Sequence, residues 1–186
     1  MYTDIIHLIN MEFDNLLNIR ARFPTCPDEA IGQNRFSTAP YYQYHLKFNV
    51  IFEFETPITN EMKDKINRIG RWANESYVIR LCALLESHGI MPQGEGNHIN
   101  ELLDGHEEMQ ILKDLRNVLA HTSGRYDPKK SSHRKLYERM VKEFSLKTES
   151  STAASAFPVH INDFLEPLTD GCKRYVQAFA RCVANR

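Results

Sequence analysis

Little in this chain is extreme. The formal net charge is −1 over 186 residues, so no global field draws the protein to nucleic acid or to a membrane surface, and a polyanion partner has to be read from local patches. Cysteine is scarce. Cys26, Cys82, Cys172 and Cys182 are the only four, and none stands in a CxxC pair. A zinc framework or a disulfide scaffold is therefore not expected, and buried free thiols are. No apolar run reaches the length that spans a bilayer. The opening "MYTDIIHLINMEF" lacks a basic region followed by an apolar core, so no signal peptide is expected and the expected location is the cytoplasm. Internal repeats are missing too.

The common catalytic signatures are also missing. His106 begins "HEEMQ", without the second histidine four residues on that a zinc-protease helix needs. Gly94–Gly96 is not followed by Lys-Ser/Thr, so it is no P-loop. There is no GxSxG nucleophile elbow. His98 and His106 could share a metal, but polar loop histidines are ordinarily just solvated, and neither a metal nor a cofactor is expected.

What remains is a normal globular composition, 42% hydrophobic and 25% charged, in a chain long enough for one domain with a real core. Helical periodicity dominates it. Ile6, Ile9, Phe13, Leu16 and Leu17 predict a helix over 3–22. Three prolines make 23–40 a loop. Residues 41–55 fit two patterns. Leu46, Phe48, Val50, Phe52 and Phe54 alternate as in a strand, while Tyr41, Tyr44, Phe48, Ile51 and Phe52 make a helical stripe; with no partner strand in view, the reading leans to helix. Residues 59–88 keep one apolar face, including Ile69, and Gly89 ends it. A helical turn is expected at 99–103, a helix at 107–121, a basic helix at 128–146, a flexible loop at 147–157, and a last helix from Asn162 or Asp163 to about Val183. The expectation is an all-α bundle of about five or six helices in a single domain, 1–186.

One stretch stands out against that background: "RNVLAHTSGRYDP", residues 116–128. Its plain reading is a helix end, with a histidine favourably placed at the negative pole of the dipole and Gly124 as the stop. On a helical wheel, however, Asn117 points away from the stripe of Ile111, Leu112, Leu115, Val118 and Leu119, with Asp114 and His121 beside it. Arg116 sits at the stripe's edge. A guanidinium binds phosphate bidentately and stabilises developing charge. An imidazole exchanges protons near neutral pH. An amide can hold a sugar hydroxyl or orient a neighbour. RNA carries its own nucleophile, the 2′-OH, so these groups suffice for phosphodiester cleavage. Arg116, Asn117 and His121 are the candidate catalytic residues. A patch follows them: over 127–147 seven cations stand against three carboxylates, a net +4. Arg125, Lys129, Lys130, Arg134 and Lys135 are the candidate RNA-binding residues. A merely solvated charged face is the competing reading. Glu75 and Arg80 are weaker candidates.

"LRNVLAH" resembles the signature of HEPN domains, the higher-eukaryote and prokaryote nucleotide-binding superfamily, whose mark is Arg, four to six residues, then His, often with a polar residue directly after the arginine. Arg116, Asn117 and His121 match those positions. The surroundings are similar as well: a long helix carrying "RWANESYVIRLCALLESHGI", a loop, the motif helix, and a closing helix with "FLEPLTDGCKRYV", together about residues 59–183. The resemblance implies a HEPN-like helical bundle that dimerises with its motif faces lining one cleft. It also implies a metal-independent endoribonuclease of toxin or defence type, with a cognate antitoxin or another protein as a further partner and a 2′,3′-cyclic phosphate as product. Non-catalytic members that bind nucleotide, RNA or protein are the alternative it leaves open. Where some toxins carry a modifiable tyrosine two residues after the histidine, this chain has Ser123, with Tyr126 further on, which puts that regulation in doubt.

Overall fold

A computed structural model describes residues 2–37, 41–43, 46–48, 50–92, 99–122, 125–148 and 150–184. Five α-helices dominate them: α1 Tyr2–Arg22, α2 Asn60–Ser87, α3 His106–Thr122, α4 Ser131–Glu143 and α5 Glu166–Ala184. Four three-residue strands join them, β1 Arg35–Ser37, β2 Tyr41–Gln43, β3 Leu46–Phe48 and β4 Ile51–Glu53. The chain divides into two compact units, residues 1–12 with 75–186, and residues 13–74. The expectations that fell on Pro40, Tyr44, Gly94–Gly96, His98, Ser123 and Gly124 lie outside the described residues.

The unit of residues 13–74 corrects the all-α expectation. β1 pairs antiparallel with β4, and β2 with β3 nested between them. The lean to helix over 41–55 fails because the missing partner strand, Arg35–Ser37, lies inside the stretch read as loop. Once it is there, alternation wins over the helical stripe. Phe36 stacks on Phe52 at 5.4 Å and on Phe54 at 6.1 Å, while Ile51, the residue before Phe52, is 64% exposed. Phe36 joins Cys26, Ala30 and Ile58 in a small core that Met62 and Ile66 of α2 close. Ile69, expected on the buried face of α2, is exposed. Gly70 instead lies against Arg20, whose guanidinium donates to the Phe23 carbonyl and the Thr25 hydroxyl.

The other unit holds the candidate site. Its core holds Ile5 and Ile9 of α1; Tyr77, Val78, Leu81 and Leu85 of α2; Ile111, Leu112, Leu115 and Leu119 of α3; and Leu168, Cys172, Tyr175 and Val176 of α5, with Ile5 buried where the α1 stripe expected Ile6, which is half-buried. α2 stops at Ser87 and Gly89 takes the left-handed φ of +67° that ends it. Residues 99–105 make turns rather than the expected helical turn, with the Leu103 N–H on the Asn100 carbonyl and the His106 N–H on the Leu103 carbonyl. α5 is preceded by one wide turn, Ile161–Leu165, in which the Leu165 N–H reaches back five residues to His160. All four cysteines are free thiols, and Cys26, Cys82 and Cys172 are buried. No helix among the described residues is long and apolar enough to cross a membrane.

α3 is fixed at its first turn. Gly105 caps it, its carbonyl accepting from the Met109 N–H, at a φ of +83°. A Cβ at Gly105 would run into the Gly171 carbonyl of α5 and lie 2.9 Å from the Tyr175 nitrogen. Gly171 itself lies against the buried side chain of Glu108, which the Arg174 guanidinium meets. Glycine on both helices thus lets the two backbones touch, and α3 leaves this contact aimed by it.

α4 follows through an aromatic joint. Tyr126 packs against Tyr137 at 5.3 Å, Phe157 at 5.0 Å and His133 at 6.1 Å. His133 is 3% exposed, and its Nδ1 accepts from the Asp127 N–H at 3.1 Å, which requires an unprotonated Nδ1. Burial, aided by the Lys130 charge, pushes the His133 pKa down from 6.5, with Asp127 opposing. The unfolded chain therefore takes up this proton first as the pH falls. The stability neutral His133 contributes is intact above about 6.5 and is lost below it as the pH drops toward the depressed folded value. The urea midpoint should fall between pH 7.5 and 5, and His133→Gln, which keeps an acceptor but no titration, should flatten that fall. Glu107, held below the usual carboxylate range by Arg139, acts in a separate, more acid window, so the two are separable.

Candidate functional site

α3 gives its three polar residues different surroundings. Arg116 is 33% exposed. One Nη donates to Asn117 Oδ1 at 3.0 Å, and the other meets Glu86 Oε2 of α2 at 3.3 Å. Glu108 and Asp114 are carboxylates on α3 itself that could serve Arg116. Those carboxylates are used elsewhere, Glu108 by Arg174 and Asp114 by Gln110 and Arg139. Asn117 accepts from Arg116 through its amide oxygen, which orients the guanidinium.

His121 lies in the last turn of α3 and is exposed. At about 100° per residue it is about 140° around the helix from Arg116, on the side of Asp114. No hydrogen bond among the described residues joins it to Arg116 or Asn117. The structure therefore brings Arg116 and Asn117 together, adds Glu86, and leaves His121 five residues away on another side of the same helix.

Glu86 is the residue the sequence reading missed. A faint signal existed. It is an acid in the last turn of α2, where the dipole disfavours negative charge and where no basic residue compensates, so a partner from outside the helix was to be expected. Its second oxygen, Oε1, lies 3.6 Å from Cys82 Sγ, one turn earlier. Burial pushes the Cys82 thiol up to about 12, with Glu86 adding to that and Arg116 and Lys113 opposing it. Cys82 is a neutral donor at physiological pH, and Lys113 is a second cation close enough to act on it.

The basic segment is weaker than its count. Arg139 forms a two-toothed pair with Glu107 and reaches Asp114 at 3.1 Å, tying α4 to α3. Arg125, Lys129, Lys130 and Lys135 are exposed, and Arg134 is half-buried. Arg80 forms a two-toothed pair with Glu12 at 2.7 and 2.8 Å. The His106 ring nitrogen lies 3.1 Å from the Leu103 carbonyl, and no group of three metal-ligating side chains forms among the described residues. No family model, curated protein or solved structure matches the chain.

Proposed function

We propose that α3 carries an RNA-phosphate site and that the chain is a HEPN-like, metal-independent endoribonuclease of toxin or defence type. The observation that carries this reading is the guanidinium of Arg116, oriented by Asn117 at 3.0 Å, on the same helix as the exposed imidazole of His121. In the reaction the 2′-oxygen of RNA attacks the adjacent phosphorus and the bond to the 5′-oxygen breaks. His121 takes the 2′ proton, Arg116 holds the charge gathering on the phosphoryl oxygens, and His121 of a second copy returns a proton to the leaving 5′-oxygen. The divergence of Arg116 and His121 around α3 is the reason a second copy enters. Two motif faces in a homodimer cleft supply both groups to one phosphate from different chains. Lys129, Lys130, Lys135 and Arg125 would hold the flanking backbone. A cognate antitoxin or other protein partner belongs to the same reading.

A second reading has its own support. Arg116 is already paired with a carboxylate, which suits a non-catalytic module that binds nucleotide, RNA or protein. Substrate chemistry separates the two. The nuclease cuts single-stranded RNA to a 2′,3′-cyclic phosphate and leaves its 2′-O-methyl counterpart whole, because the nucleophile is blocked. Equal treatment of both substrates overturns the mechanism.

A further inference from the structure

Like the Arg174–Asp104 contact at 3.4 Å, the Glu86–Arg116 contact is looser than the two-toothed arginine pairs of this unit. It is single-toothed and 3.3 Å long, whereas charge-assisted bonds of this kind run at about 2.7–2.9 Å. Arg80 grips Glu12 with two nitrogens at 2.7 and 2.8 Å, and Arg139 grips Glu107 with two. Glu86 is also the more enclosed partner, 18% exposed against 33% for Arg116. Its other oxygen lies 3.6 Å from the weak donor Cys82 on the same helix. A carboxylate is thus fixed to α2 beside a guanidinium that is a third open to solvent and loosely engaged.

We infer that Glu86 occupies the phosphate-binding edge of Arg116 in the resting protein, so that an RNA phosphate must displace a carboxylate to reach it. The inference rests on the reading of Arg116 as an RNA-phosphate ligand. Carboxylate and phosphate match the same guanidinium fork, and while Glu86 holds it the pair presents no net charge to a polyanion. The partial opening of Arg116 gives an incoming phosphate access without disturbing the buried stripe of α3. Asn117 keeps its own bond to the other Nη, so the guanidinium stays oriented while its partner changes. The consequence is selectivity. A lone mononucleotide competes poorly with a tethered carboxylate, whereas a strand held at several phosphates by the Lys129–Lys135 segment displaces it.

The test is the binding of a short 2′-O-methyl oligoribonucleotide, which cannot be cleaved, followed by fluorescence anisotropy over a series of salt concentrations. Glu86→Gln keeps the shape of the side chain and removes its charge. It should bind about fivefold more tightly than wild type, the loss of one ion pair of ordinary strength. Its plot of log affinity against log salt should steepen by about 0.7, one further phosphate contact on a single strand. Arg116→Ala in the Glu86→Gln background should erase both gains. Glu86→Asp, which withdraws the charge by one methylene, should show part of the gain and serves if Glu86→Gln does not fold. Wild-type or weaker binding by the Glu86 variants overturns the inference, and a defect in Arg116→Ala then leaves the RNA site standing. Equal binding by wild type, Glu86→Gln and Arg116→Ala overturns both. A gain in Glu86→Gln with no cleavage of unmodified RNA upholds the inference and ends the nuclease reading.

Discussion

Gly105→Ala should melt roughly 6–12 °C below wild type, the shift that about 3 kcal/mol produces in a chain of this size. Two costs combine. An L-residue at a φ of +83° pays about 1–2 kcal/mol for the left-handed backbone. The new methyl then meets backbone on α5, the Gly171 carbonyl and the Tyr175 nitrogen, and backbone cannot swing aside as a side chain does. Overpacking of that kind costs about 1–3 kcal/mol more. Gly89→Ala is the control, because Gly89 has a φ of +67° but nothing within 4 Å of the added carbon. It should cost only the backbone part, about 1 kcal/mol. Thermal and urea unfolding of the two variants check this. Equal losses at both positions would mean that α3 and α5 do not touch through Gly105 and Gly171.

His121→Ala should lose cleavage by about 10²–10⁴-fold, the range for removing a general base or acid, with its melting temperature unchanged, because His121 is exposed at a helix end. Arg116→Ala should lose about 10²–10³-fold through missing charge stabilisation. Arg116→Lys should not restore it, since an ammonium cannot take the two-toothed geometry. The stability controls separate these losses from unfolding. Arg116→Ala removes a charged partner of the half-buried Glu86, so a fall in stability of about 1 kcal/mol accompanies it, while His121→Ala shows none. If Arg116→Ala destabilises while cleavage persists, Arg116 is a structural link between α2 and α3 and nothing more.

The helices were legible where apolar spacing was long and regular. Ile111, Leu112, Leu115 and Leu119 of the α3 stripe are buried as the spacing predicts, with Val118 half-buried, because tertiary packing rewards the same face that periodicity marks. Residues 41–55 were not legible. A strand's stability lies in its partner, and Arg35–Ser37 is three residues long in a proline-rich stretch, with only Phe36 turned to the core. Ile69 failed for the opposite reason: its spacing fits the stripe, but exposure depends on what packs against α2 there. In the site, Arg116, Asn117 and His121 stood out as residue types, and their position on α3 was readable. Who bonds whom was not. Glu86 is thirty positions from Arg116, and long-range pairing of charges leaves no periodic trace. The same holds for Arg139, which counted as part of the basic patch until Glu107 and Asp114 claimed it.

The proposed proton transfer by His121 of α3 in RNA cleavage is open to direct test. Its most direct measurement is the incubation of single-stranded RNA with purified wild type and His121→Ala, side by side in EDTA, with products resolved on a denaturing gel. Wild type should cut the RNA and leave 2′,3′-cyclic phosphate ends, while His121→Ala leaves it intact over the same time. Wild type that cleaves no faster than His121→Ala contradicts the claim.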